Sequence, residues 1–159
     1  EMWYEEYDLR EIEKELGVSP GDVYTRTDLM QWLLYAAREI LLTDDVFAEE
    51  HLGFIAELVG LLDLTRMRVR AGCKEDLLQL VQLKGVGRSR ARVLSEMDIR
   101  TPKDLINISN KQLETLKSKR GWGPILVNNI LESVKSLAIK TQEKKQRLDD
   151  EPLPGERQD

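Results

Sequence analysis

The chain has 159 residues, 41% of them hydrophobic and 33% charged, and a formal net charge of −5. That length suits one domain or two small ones, and that apolar fraction suffices for packed helices, which excludes global disorder. No apolar run reaches the ~18 residues of a membrane span, "EMWYEEYDLR" lacks the basic and apolar regions of a secretory signal, and the lone Cys73 and His51 exclude an internal disulfide and a structural zinc site.

Apolar residues recur at helical spacing and no period-2 strand is evident, so the expected fold class is all-α. Trp3 to Leu16 reads as a helix stopped by Gly17. Ser19 and Pro20 read as the N-cap and first residue of a long helix ending near Leu42. "TDDVFAEE" restarts helix as far as Leu62, and Asp63 reads as the cap of a short helix over "LTRMRVRAG". A helix from Lys74 to Gln82 leads into "LKGVGRSRARVL", Leu83 to Leu94, and another covers Arg88 to Glu96. Thr101-Pro102 and Ser109 each open a short helix, and Pro124 opens the last one after "GWG". From Thr141 the charged residues and "EPLPGERQD" read as disordered.

The charge is unevenly distributed. Residues 1–73 carry 7 Lys and Arg against 16 Asp and Glu, whereas residues 74–147 carry 16 against 8. An acidic scaffold joined to a basic half points to a nucleic-acid partner. Within the basic half Gly85-Val86-Gly87 recurs as Gly121-Trp122-Gly123, and Leu94 matches Ile130 at the same offset. Three parts follow: a helical bundle segment over 1–72, a tandem helix-hairpin-helix domain over 73–138, and a disordered charged tail over 139–159.

A Gly-apolar-Gly turn lets backbone approach a ligand with no Cβ in the way, and it exposes the first N–H groups of the following helix. That helix end attracts anions, and Lys84, Arg88, Arg90 and Arg92 add charge beside it. The expected DNA contacts are Lys84, Gly85, Val86, Gly87, Arg88, Arg90 and Arg92, with Lys119, Arg120, Gly121 and Gly123 at the second turn. These contacts read phosphate, so they position the protein without selecting sequence. Arg88 and Arg92 fall about 40° apart on one helix face and are expected to hold phosphate. Arg90 falls among apolar positions and is expected to bridge to the acidic half. Trp122 either packs in the core or joins the second contact.

On the long helix Leu29, Leu33, Ala36, Ala37 and Ile40 form an apolar stripe, widened by Met30, Leu34 and Leu41, that reads as core-facing. Trp32 lies about 120° from that stripe. Either it stacks on an unpaired base or it packs against another helix. No catalytic set, phosphate loop or metal-ligand spacing is evident, so the chain itself is expected to be no enzyme and to need no cofactor.

"GVSPGDVYTRTDLMQWLLYAAREI" and "LTRMRVRAGCKEDLLQLVQLKGVGRSRARVLSEMDIRTPKDLI" resemble the C-terminal part of archaeal superfamily 2 DNA helicases of the HELQ type. The resemblance implies two RecA-like motor domains, a winged helix, a helical ratchet domain and a small helix-hairpin-helix domain. It implies an ATP-dependent 3′-to-5′ helicase acting at stalled forks and in repair, with ATP and magnesium held by the motor that this chain lacks. It also implies that Trp32 is the ratchet's stacking residue, and that Arg88, Arg90 and Arg92 hold the emerging strand and restrain unwinding. Thr25 stands where some members have an arginine. The expected partners are single-stranded or forked DNA and the motor domains of the same helicase, in the cytoplasm and with no membrane. The alternatives are a helix-hairpin-helix glycosylase or nuclease, and a free-standing adaptor that recruits a motor or another protein.

Overall fold

The computed structural model describes residues 1–43 and 51–150, the side chains of 140–150 excepted. Seven α-helices and one 3₁₀ turn make up those residues, with no strand among them. None of these helices is long and apolar enough to cross a membrane.

Helix α1 (Leu9–Leu16) begins at Leu9 and not at Trp3 as the spacing predicts. Asp8 and Glu11 cap its start reciprocally, and Glu6 at φ +73° is incompatible with helix before it. Gly17 ends it in the left-handed region, as expected. Helix α2 (Pro20–Thr43) starts where Ser19 and Asp22 bond each other's backbone N–H, at 3.3 and 2.9 Å. The Ser19 hydroxyl, at 2.7 Å, and then the Ser19 N–H donate to the Asp22 carboxylate and hold it below its ordinary value.

Helix α3 (Leu52–Ala71) is continuous, so the break expected at Asp63 does not occur. The Asp63 carboxylate serves tertiary structure instead, accepting from Arg38 Nε at 3.0 Å. The restart expected over "TDDVFAEE" falls largely on residues 44–50, outside the described residues.

Helices α2 and α3 pack side by side. On α2 the half-buried residues Thr27, Gln31, Leu34, Arg38 and Leu41 recur every three or four positions, which marks the packed face. The face expected to meet the core is only partly covered: Leu34, Ala36, Ala37 and Leu41 are half-buried, but Leu29 is 56% exposed, Leu33 46% and Ile40 70%. A helical wheel shows which residues share a face, but the neighbouring helix decides which face is covered.

The larger core belongs to the second half. Leu77, Leu80, Leu83, Val86, Ala91 and Leu94 are buried together with Ile99, Leu105, Leu116, Trp122, Val127 and Ile130. The helix expected over 74–82 is replaced by a 3₁₀ turn (Glu75–Leu77) and further tight turns. Leu77, Leu78, Leu80 and Leu83 are all buried, yet on an α-helix they would spread over about 220° of the cylinder. The tighter winding, with Leu80 N–H on the Leu77 carbonyl and Leu83 N–H on that of Leu80, lets each turn inward.

Helices α4 (Arg88–Ser95), α5 (Pro102–Ile106) and α6 (Asn110–Ser118) follow; Thr101 and Ser109 cap α5 and α6 as expected, and Asp104 and Gln112 complete a capping box at each. Helix α7 (Pro124–Asp150) packs against α5 and α6. It continues well past 138, where the tail was expected to begin. Residues 142–148 are Gln, Glu, Lys, Arg and Leu, all good helix formers, with no Gly or Pro, and that composition sustains helix. Residues 151–159 of the expected tail lie outside the described residues.

Candidate nucleic-acid interface

The two glycine turns share one geometry. Gly85 has φ +86° and Gly121 φ +83°, a region that disfavours any residue with a Cβ. Val86 N–H bonds the Leu83 carbonyl at 3.0 Å, and Trp122 N–H bonds that of Lys119 at 3.1 Å. Both middle residues point inward, Val86 at 4% exposure and Trp122 at 3%. Beyond each turn the first helical bond runs from Ala91 to Gly87 and from Val127 to Gly123. Ala91 and Val127, then Leu94 and Ile130, are buried in matching positions. The sequence repeat is therefore a repeat of conformation and burial, and Trp122 is a core residue.

Gly87 caps α4 with an extended backbone, φ −86° and ψ 176°, and no side-chain hydrogen bond caps the helix there. The first-turn N–H groups have no helix carbonyl to bond. A Cβ at Gly87 or Gly123 would meet nothing within 4 Å, so both helix starts are open to approach. Lys84, Lys119 and Arg120 are exposed around the turns and make no ion pair among the described residues.

The structure gives the three arginines other intramolecular partners than expected. Arg92, expected to be free for phosphate, pairs with Glu6 at 2.5 Å and Asp76 at 2.8 Å. Glu6 and then Asp76 raise its already high pKa further. Arg88 stacks on the Trp3 ring at 4.1 Å and donates to the carbonyls of Trp3 and Gly72. Arg90, expected to bridge to the acidic half, bonds the Gly85 carbonyl of its own turn at 2.9 Å and makes no ion pair among the described residues. The wheel separated Arg90 from its neighbours correctly, but Glu6 and Trp3 lie on the side of Arg88 and Arg92.

Residues missed by the sequence reading are thus Trp3, Glu5 and Glu6. Glu5 pairs with Arg68 at 2.7 Å and Lys74 at 3.3 Å, and Trp3 Nε1 donates to the Val69 carbonyl at 2.8 Å. No local pattern announces contacts that span more than 60 residues of chain.

Trp32 projects from α2 at 63% exposure and has no ring partner among the described residues. The alternative that it packs against another helix of this chain is not realised among those residues. Thr25 donates to the Gly21 carbonyl of its own helix at 3.0 Å. A groove of about 560 Å³ runs beside the first turn, lined by Met67, Arg70, Ala71, Val81, Gln82 and Arg88 among others. Cys73 is fully buried, and burial followed by Glu6 and Asp76 pushes its thiol up to about 11, which leaves it unreactive. No cluster of three potential metal ligands occurs among the described residues.

Residues 1–72 match the family described as "Archaeal helicase, domain 4", and the match ends at the glycine that caps α3. The chain is homologous to part of the archaeal Hel308-type superfamily 2 DNA helicases. It is 31% identical over 148 residues to an ATP-dependent DNA helicase Hel308 from Pyrococcus horikoshii, covering 92% of this chain and 19% of that relative. Identity is 34% over 136 residues to the Hel308 of Pyrobaculum calidifontis, with 85% and 18% covered. For that of Thermoplasma acidophilum it is 28% over 138 residues, with 87% and 18% covered. The chain thus spans about a fifth of the length of the relatives it matches.

Proposed function

We propose that this chain is a sequence-independent binding module for single-stranded or forked DNA, belonging to a 3′-to-5′ helicase that acts in replication-fork repair. Residues 73–138 act as a tandem helix-hairpin-helix domain, and residues 1–72 act as part of the ratchet. The observation that carries this reading is the duplicated turn, whose matched backbone leaves two helix starts open beside unpaired Lys84, Lys119 and Arg120. Such ends bind phosphate through N–H groups and the helix dipole. Trp32 stacks a base, so a strand held at its phosphates is also gripped by one ring.

ATP and magnesium belong, on this reading, to motor domains, and no residue described here is assigned to hold them. What this chain supplies is a grip that keeps single strand from slipping back. Fluorescence anisotropy with a labelled oligothymidine tests it. Log affinity should fall against log salt with a slope of about −3 to −4 if about four to six phosphates are neutralised. A slope near zero, or preference for one sequence, would reject the reading.

The outward apolar face of α2, with Leu29, Leu33 and Ile40 exposed, favours a second reading as an adaptor for a protein partner. Capture of the same protein with and without DNA separates the two.

A further inference from the structure

We infer that residues 1–7 form a clasp that holds the helix bearing Trp32 and the first glycine turn at one fixed spacing, so that the two contacts act on a strand as a single site. Trp3 is the positioning residue of that clasp. The inference rests on the proposed function and deepens it.

One ring touches three helices. Trp3 meets Tyr24 of α2 edge-on, with centroids 5.7 Å apart and planes at 82°. Its Nε1 donates to the Val69 carbonyl of α3 at 2.8 Å. Its face carries the Arg88 guanidinium of α4 at 4.1 Å. The ring is seated tightly, because a Cβ at Gly72 would lie 2.6 Å from Trp3 Cε2. Tyr24 and Trp32 share α2 and stand about two turns apart.

The next residues repeat the connection with charge. Glu5 holds Arg68 and Lys74, and Glu6 holds Arg92 of α4 and accepts from the Lys74 N–H at 3.0 Å. Glu6 keeps a left-handed backbone, φ +73°, which persists only where the surroundings over-determine it. Leu64 and Ala71 of α3 also pack against the core of the second half, and the clasp adds to that apolar contact the directional bonds that fix the angle across the Gly72 link.

Two weak contacts on a rigid frame bind one ligand far better than the same contacts on a hinge, because the second forms at high effective concentration. A strand too short to reach both gains nothing from the frame. Strand length therefore separates coupling from simple folding.

The experiment compares wild type with Trp3→Ala, using labelled oligothymidines of about four and about twenty nucleotides. The variant should bind the long strand about ten-fold more weakly or worse and the short one as wild type does. Trp3→Phe keeps a ring under Arg88 and should restore long-strand binding. Should circular dichroism show Trp3→Ala unfolded, Glu6→Gln loosens the charged half of the clasp with the ring left in place, and the same readout applies. Equal loss on both strands, or none on the long one, would overturn the clasp. A wild type that binds both lengths equally well also overturns it. A wild type that binds neither strand rejects the proposed function first, and the clasp with it.

Discussion

Arg88 lays its guanidinium 4.1 Å from the centroid of the Trp3 ring and donates to the Trp3 carbonyl at 3.2 Å, across 85 residues of chain. Arg92, one turn on, is committed in the same direction to Glu6 and Asp76. The arginine motif behind the glycine turn is therefore divided between holding the protein together and facing solvent.

Arg90→Ala should flatten the salt slope of DNA binding by about one phosphate contact and leave the melting temperature nearly unchanged. Arg92→Ala should do the reverse, because it leaves Glu6 and Asp76 close together without their shared cation. A salt titration beside a thermal melt of each variant reads both quantities. Equal slope changes for Arg88, Arg90 and Arg92 would contradict the division.

Glu6 makes part of that stability depend on pH. Burial alone raises its carboxyl, but the Arg92 guanidinium and the Lys74 N–H outweigh it and hold the group below the ordinary 4.5. A depressed folded value means the contribution is complete above the unfolded value and is lost as pH falls through the folded one. Glu6→Gln should thus cost about 1–2 kcal/mol at neutral pH, and the difference from wild type should close as pH falls through the lowered value of the folded state. Melts at several pH values check this, and a constant gap would assign the effect to packing.

Trp32→Ala should reduce single-strand affinity by about 1–3 kcal/mol with little change in salt slope, since the ring releases no counterions. At 63% exposure its loss should cost the fold no more than about 0.5 kcal/mol. Phe in its place should recover most of the binding. Anisotropy and a thermal melt together decide, and an early melt with normal binding would make Trp32 a packing residue.

The glycines separate access from strain. Gly87→Val adds a side chain at φ −86° into open space, so the fold should survive while approach to the helix start is blocked. Gly121→Ala also meets open space but at φ +83°, and should lower stability by about 1–2 kcal/mol. Normal DNA affinity in folded Gly87→Val would show that this turn faces something else.

Helix starts and stops were legible wherever one local signal settled them. Gly17, Ser19, Thr101, Ser109 and Pro124 all act where spacing and residue type place them, because a cap satisfies N–H or carbonyl groups within three or four residues. The repeated turns were legible for the same reason, since φ near +85° demands glycine and glycine is visible in a sequence. The start of α1 was misread because Trp3 and Tyr4 have helical spacing but bind distant groups instead.

By itself, then, the sequence determined the all-helical class, the caps, the duplicated turn and the division of charge, all of which follow from neighbours along the chain. Tertiary structure alone decided which face of α2 is covered and which arginines are free. Helical angles are relative: they place Arg88 with Arg92 and set Arg90 apart, yet they carry no information about where an acidic segment more than 80 residues away will settle. That choice was made by Glu6 and Trp3, whose charge and ring find their partners only once the chain has folded back on itself.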